Sequence, residues 1–325
     1  MNDYSGKELP LQLVIVNIFI HNMELNKLFY KALSLKALSI DEGLALYNNA
    51  PLVELMFVAD KLRQVHVPGK RAGWMIDRNV NLTNICFSQC TFCNFCRKKS
   101  SEDAYITTID EYRKKIDELF ELGGNQILLQ GGMNPELGID FYENLFRRLK
   151  ELYPALRLHA LGPPEIVYLA RKENLTYREV LERLVSSGLD SLPGAGAEIL
   201  CDRVRKIVSP AKAGTEEWLG VMREAHRLNL PTSATMMYGH IETIEERIEH
   251  LIRLRELQSE KPEGSYGFIS FIPWPFQDEG TKLRNSLGVK STYTGHDYLR
   301  MIAISRIMLN NITNIQASIL TVGRD

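Results

Sequence analysis

The chain has no apolar stretch long enough to cross a bilayer as a helix. The longest, within LPLQLVIVNIFIHNM at residues 9–23, runs about ten residues where about 20 are needed. The preceding MNDYSGKE carries two acids and one lysine, so the basic start of a secretory signal is missing as well. Neither sign of charge is in excess: 39 Lys and Arg stand against 40 Asp and Glu, and a net charge of −1 gives no electrostatic case for nucleic acid or an anionic membrane as partner. Cysteine is scarce. Of five, four fall within residues 86–96 and the fifth is Cys201, which excludes the dispersed, even set of a secreted disulfide scaffold and fits a reducing cytoplasm. No internal repeat or low-complexity tract occurs. What remains is a globular enzyme of 325 residues working on a small molecule.

Three regions follow from the pattern. Residues 1–22 read as an extension outside the working enzyme, as a short strand or a poorly packed segment. Residues 23–72 read as an N-terminal helical cap, with Ser39 as a helix N-cap and Pro51 at a helix start. From residue 73 to 325, short apolar runs alternate with stretches of helical length. VNLTNI, NQILLQGG, LRLHALG, LDSLPG, PTSATMMYG, SYGFISFIPW and ITNIQASILTV read as strands. Helices are expected near 108–122, 139–153, 164–187, 197–206, 215–228, 242–259 and 296–310. This alternation implies parallel βαβ units that curl, with right-handed crossovers, into an α/β barrel whose working residues sit at the strands' C-terminal ends. GAG at 194–196 lacks the third glycine of a dinucleotide-binding fingerprint.

The chemistry is in NICFSQCTFCNFCR, where Cys86, Cys90, Cys93 and Cys96 follow the first strand. Three thiolates around a cubane cluster leave one iron open to bind and activate another molecule. Two rivals use all four. A zinc site accepts pairs of this spacing, although zinc-ribbon pairs stand far apart in sequence. A fully ligated cluster would make an electron carrier.

CxxxCxxC with Phe92 before its last cysteine resembles the radical S-adenosylmethionine (SAM) superfamily. LLQGGMNPEL, LHALGPPEI, GLDSLPGAGAEIL, RVRKIVSPAK, EWLGVMREAHRL, TSATMMYGHIET, FIPWPFQ and NIQASILTVG are similar to its dehypoxanthine futalosine cyclase branch, which serves menaquinone synthesis. Aminofutalosine synthases and deazaflavin-forming synthases are sister branches with the same loop. The resemblance implies an α/β radical SAM (β/α) barrel, partial or full TIM-like, and a 4Fe-4S cluster on Cys86, Cys90 and Cys93. It implies SAM cleaved by one electron from a low-potential donor such as flavodoxin or ferredoxin, and a deoxyadenosyl radical that starts cyclisation of dehypoxanthine futalosine.

The resemblance also gives roles to single residues. Gly131 and Gly132 would hold the SAM amino end through their backbone, unless they serve only a tight turn with φ > 0. Glu198 would accept from the SAM ribose, unless it is a first-turn helix acid. His159 faces SAM or substrate, or is a satisfied core histidine. Tyr238, Gly239, His240 and Glu242 end the fifth strand, where Gly239 would admit the adenine. Trp274 anchors its loop or meets substrate. Met236, Met237 and Cys201 read as packing, Cys201 inside a helix. Two departures stand out: an aromatic is usual where Cys96 stands, and chains of the branch continue past TVGRD, so this one reads as C-terminally truncated.

Overall fold

The computed structural model describes residues 23–323, so the segment expected to be an extension at 1–22 lies outside the described residues. Helices α1 (Met23–Leu33), α2 (Ile40–Asn49) and α3 (Leu52–His66) precede the first strand. Ser39 caps α2 reciprocally: its hydroxyl accepts from the Glu42 N–H while the Glu42 carboxylate accepts from the Ser39 N–H. Arginines fasten these helices to the rest of the chain through carbonyls that would otherwise lack partners. Arg300 donates to the Tyr47 and Ala50 carbonyls at 2.8 and 2.9 Å, and Arg255 to that of Leu38 at 2.9 Å.

The remainder runs β1 (Asp77–Asn81), α4 (Ile109–Glu121), β2 (Gln126–Gln130), α5 (Ile139–Leu152), β3 (Arg157–Ala160), α6 (Pro163–Glu173), α7 (Tyr177–Ser186) and β4 (Leu189–Ser191). It continues with α8 (Asp202–Val208), α9 (Thr215–Arg227), β5 (Thr232–Tyr238), α10 (Ile244–Glu260), β6 (Phe268–Pro275), α11 (Lys282–Leu287), α12 (Gly295–Met308), β7 (Asn314–Ile315) and α13 (Ile319–Val322). Pairing is parallel throughout, in the order β1-β2-β3-β4 and β5-β6-β7. A parallel bridge between Leu192 and Thr232 joins the two groups into one arc in sequence order. Among the described residues β7 and β1 do not pair, so the arc is a partial barrel. Parallel pairing puts every strand's C-terminal end on one side, which is where the site must be built.

The alternation of strand side chains separates two environments. Ile127, Leu129, Leu158 and Ala160 are fully buried under the helices, while Gln126, Leu128, Gln130 and His159 turn to the half-open interior. Helix α5 closes that outer core with Tyr142, Phe146 and Leu149 at helical spacing, each adding about 1.5–3 kcal/mol by burial. No helix among the described residues is long and apolar enough to cross a membrane.

Three expectations change, besides the first strand, which runs Asp77–Asn81 and not through VNLTNI at 80–85. The helix expected at 164–187 is two, because Asn174 takes a left-handed conformation (φ 54°) that closes α6 and Thr176 caps α7. The helix expected from residue 197 starts only at Asp202, leaving Glu198 in a loop with φ 46°. Of ITNIQASILTV only Asn314–Ile315 is strand. After Gln316, the Ser318 N–H goes to the Tyr298 hydroxyl and the Thr321 and Val322 N–H groups fold back on the Ser318 carbonyl.

Candidate functional site

The cysteine loop leaves β1 and is braced from within. Asn84, buried, donates to the Asp103 carbonyl (2.7 Å) and accepts from the Tyr105 N–H (2.9 Å), and the Thr83 hydroxyl donates to the Tyr105 carbonyl (2.6 Å). The Thr91 N–H then ties the loop to the Val208 carbonyl at the end of α8, and the Leu283 N–H donates to the Thr91 carbonyl. Cys90 is buried; Cys86, Cys93 and Cys96 are half-buried.

Gly131 and Gly132 follow β2 directly beneath this loop. Neither has a positive φ, so turn geometry is not what requires glycine. Close approach is. A Cβ on Gly132 would lie 2.2 Å from the Ile85 carbonyl oxygen and 2.9 Å from the Cys86 Cβ, and one on Gly131 would lie 3.0 Å from the Thr83 backbone.

On the other side of Cys90 lies a group of charges. The buried Glu198 carboxylate accepts from Lys212 Nζ at 3.0 Å, and that ammonium sits 5.3 Å above the Phe92 ring. Arg205, also buried, positions both by donating to the Gly196 and Ala197 carbonyls beside Glu198 and to the Ala213 carbonyl beside Lys212. Burial works against the charge on Lys212, yet Glu198, Cys90 and Glu165 together hold its pKa above the ordinary range. Burial raises the Cys90 thiol, an effect that Lys212 and the Ser88 hydroxyl oppose. Cys96 is pushed up to about 11, by burial first and then by Cys86 and Cys93.

Burial likewise pushes Glu165 up to about 7, with Lys212 opposing and Glu198 adding. Between its ordinary 4.5 and about 7 the folded protein holds a proton that the unfolded chain has lost, so this group makes stability fall as pH rises through that window. The difference in unfolding free energy between wild type and Glu165→Gln, measured by urea denaturation, is expected to decline across it. A flat difference would show that the carboxyl is already ionised at the low end.

His159 faces the interior on β3, its Nδ1 2.7 Å from the Ser191 hydroxyl, and burial lowers it to about 4, so it is neutral at physiological pH. The residues ending β5 are differently engaged. The Tyr238 ring lies on the helix side of the strand, 5.0 Å from the Arg247 guanidinium, and its phenol is buried. Gly239 has φ 89°, and its N–H donates to Glu242 at 2.6 Å. Glu242 also accepts from the His240 N–H and from Arg247. His240 Nδ1 accepts from the Ile241 N–H at 2.8 Å and lies 3.1 Å from a Glu242 carboxylate oxygen, while Nε2 lies 3.0 Å from the Met237 carbonyl. His240 and Glu242 thus spend their polar atoms on each other's loop. Cys201 is not inside a helix but at the N-cap of α8, half-buried, its thiol donating to Glu246 at 3.1 Å. Gly194 packs against the Ser233 backbone. Trp274 is half-buried opposite Met237.

The structure therefore gathers the cysteine loop, Gly131, Gly132, Glu198 and two residues that sequence reasoning missed, Glu165 and Lys212. Among the described residues no three His, Cys, Asp or Glu side chains converge on one metal ion. A cubane asks for something else, since each thiolate binds its own iron, and a thiolate-only set suits an iron-sulfur cluster.

Comparison with known proteins agrees. The radical SAM superfamily profile matches residues 80–254, and a profile described as the CofH/MqnC C-terminal region matches 265–325. Aminodeoxyfutalosine synthase of Thermus thermophilus is 41% identical over 88% of this chain and 76% of its own. Cyclic dehypoxanthine futalosine synthases are similar too: that of Streptomyces coelicolor is 39% identical over 88% of this chain and 70% of its own, and that of Halalkalibacterium halodurans 36% over 93% and 79%. Among solved structures, the FeFe-hydrogenase maturase HydG of Carboxydothermus hydrogenoformans superposes with a TM-score of 0.68 over 94% of this chain and 68% of its own, at 18% identity. Methylornithine synthase (PylB) gives 0.65 over 92% and 87%, at 16%. With the arc of parallel strands, the cysteine loop at its C-terminal end and these matches, the chain belongs to the radical SAM superfamily.

Proposed function

We propose that this chain cyclises dehypoxanthine futalosine in menaquinone synthesis. We further propose that it works in a reducing cytoplasm with a low-potential electron donor such as flavodoxin or ferredoxin. As a radical SAM enzyme it uses a 4Fe-4S cluster and SAM. The observation that carries the proposal is the three-cysteine loop lying over Gly131 and Gly132 beside the Lys212–Glu198 pair, in a chain that matches two cyclic dehypoxanthine futalosine synthases over most of its length.

In this reading Cys86, Cys90 and Cys93 hold the cluster, and Cys96 is a bystander. Once bound there, the cluster would pass one electron from the donor to SAM, whose cleavage would supply the radical that takes hydrogen from the substrate ribose. The chain's own residues position and enclose. Glu198 accepts from the SAM ribose and Lys212 offers its ammonium to the SAM carboxylate. The backbone of Gly131 and Gly132 holds the SAM amino end, Gly239 lets the adenine lie close, and neutral His159 lines the interior without adding charge. Their common effect is to fix the ribose hydrogen at near-attack distance.

Anaerobically reconstituted protein, given SAM, a reductant and dehypoxanthine futalosine, is expected to release 5′-deoxyadenosine and the cyclised product by mass spectrometry. The 41% identity to an aminodeoxyfutalosine synthase favours a second reading, so a parallel arm supplies that enzyme's substrate. Turnover in that arm alone would reject the cyclase. The count of ligands has its own test: Cys96→Tyr is expected to keep its iron and cleave SAM, while Cys93→Ala loses both.

A further inference from the structure

Ser88 is nearly fully buried, and its hydroxyl lies 3.2 Å from Cys90 Sγ. The turn that brings them together passes through Gln89 in the left-handed region (φ 47°), a conformation that is costly for a non-glycine residue. That sulfur is the one partner the described hydrogen bonds give the hydroxyl. Once Cys90 binds iron as a thiolate it has no proton to offer, so the bond has one possible direction, from Ser88 Oγ–H to sulfur.

We propose that Ser88 tunes the reduction potential of the cluster through this hydrogen bond, an inference that rests on Cys90 being a cluster ligand. A donor on a ligating sulfur withdraws charge from the thiolate. The reduced cluster carries one more electron than the oxidised one, so the bond stabilises it more and raises the potential. Ser88 thus acts through Cys90, as a positioning residue.

Ser88→Ala removes the hydroxyl at almost constant shape. The expected result is a midpoint potential lowered by a factor of about ten in the one-electron reduction equilibrium, about 59 mV, read by redox titration followed by electron paramagnetic resonance. Ser88→Thr keeps the hydroxyl and is expected to restore the wild-type potential at equal iron content, which a loss of packing alone would not predict. Should Ser88→Ala fail to load iron, Ser88→Gly gives the same comparison. Pulsed hyperfine spectroscopy on reduced wild type and Ser88→Thr, in light and heavy water, reads the hydroxyl proton directly. A potential unchanged in the loaded variant, or no such exchangeable proton in wild type, overturns the proposal while leaving Cys90 a ligand. Undiminished iron in Cys90→Ala would instead overturn the ligand assignment beneath it.

Discussion

Gly132→Ala is expected to lose the iron-sulfur cluster while keeping the barrel folded. The added methyl would sit 2.2 Å from the Ile85 carbonyl oxygen, and the obstacle is backbone, which cannot rotate aside as a side chain would. Both partners are held. The Gly132 N–H donates to the Thr83 carbonyl at 2.7 Å, the Phe87 N–H to that of Met133 at 3.1 Å, and the Cys86 N–H to that of Arg97 at 3.1 Å. Overpacking of this kind costs about 1–3 kcal/mol, which a domain of this size tolerates. The consequence for the site is larger, because the loop must move by about 1 Å and carry Cys86 with it, a displacement that costs precise chemistry about a hundredfold. Iron and sulfide per chain after anaerobic reconstitution are expected to fall at least tenfold, with the far-ultraviolet circular dichroism unchanged. Gly131→Ala, whose methyl would stand 3.0 Å from Thr83, is expected to load partially. Full loading of Gly132→Ala would mean that the loop does not rest on this glycine.

How much of this was legible in the sequence differs by the kind of force involved. Periodicity and capping gave the alternation of strands and helices, because they depend on neighbours within a few residues: Ser39 with Glu42, or Tyr142, Phe146 and Leu149 on one face of α5. The break at Asn174 and the turn after Ile315 escaped because they depend on one residue's φ and on the distant Tyr298 hydroxyl. The cysteine spacing marked the candidate site, and the resemblance added Gly131 and Gly132, though the reason for glycine is hidden in the sequence: the neighbours that exclude a side chain are Thr83 and Ile85, more than forty positions away. Lys212 stood inside the RVRKIVSPAK stretch without being singled out. A lysine between alanines in SPAKAG reads as solvent-exposed loop, and only the fold reveals that Arg205 and Glu198 draw it in. The placement of Tyr238 was hidden for the complementary reason, since a strand's last residue can face either layer and here its ring packs beside Arg247.

Lys212→Met separates the structural from the chemical part of this buried pair. With the ammonium gone, the Glu198 carboxylate, buried at 5% exposure, keeps only the Arg205 guanidinium as a nearby cation, and breaking a buried pair costs about 3–5 kcal/mol. The urea midpoint is therefore expected to fall sharply. Glu198→Gln in the same chain removes the stranded charge, so the double variant is expected to regain most of that stability, since a pair replaced whole is often near neutral. SAM affinity of the reconstituted protein is expected to follow another course: weak in the single variant and still weak in the double one, because neither ammonium nor carboxylate is left for the ligand. A double variant that recovers both stability and SAM binding would make the pair a strut holding the β4 loop. A single variant as stable as wild type would mean that water reaches Glu198. Recovery of stability without recovery of binding leaves one reading, in which two charges held together in the resting fold are held in readiness for the ligand between them.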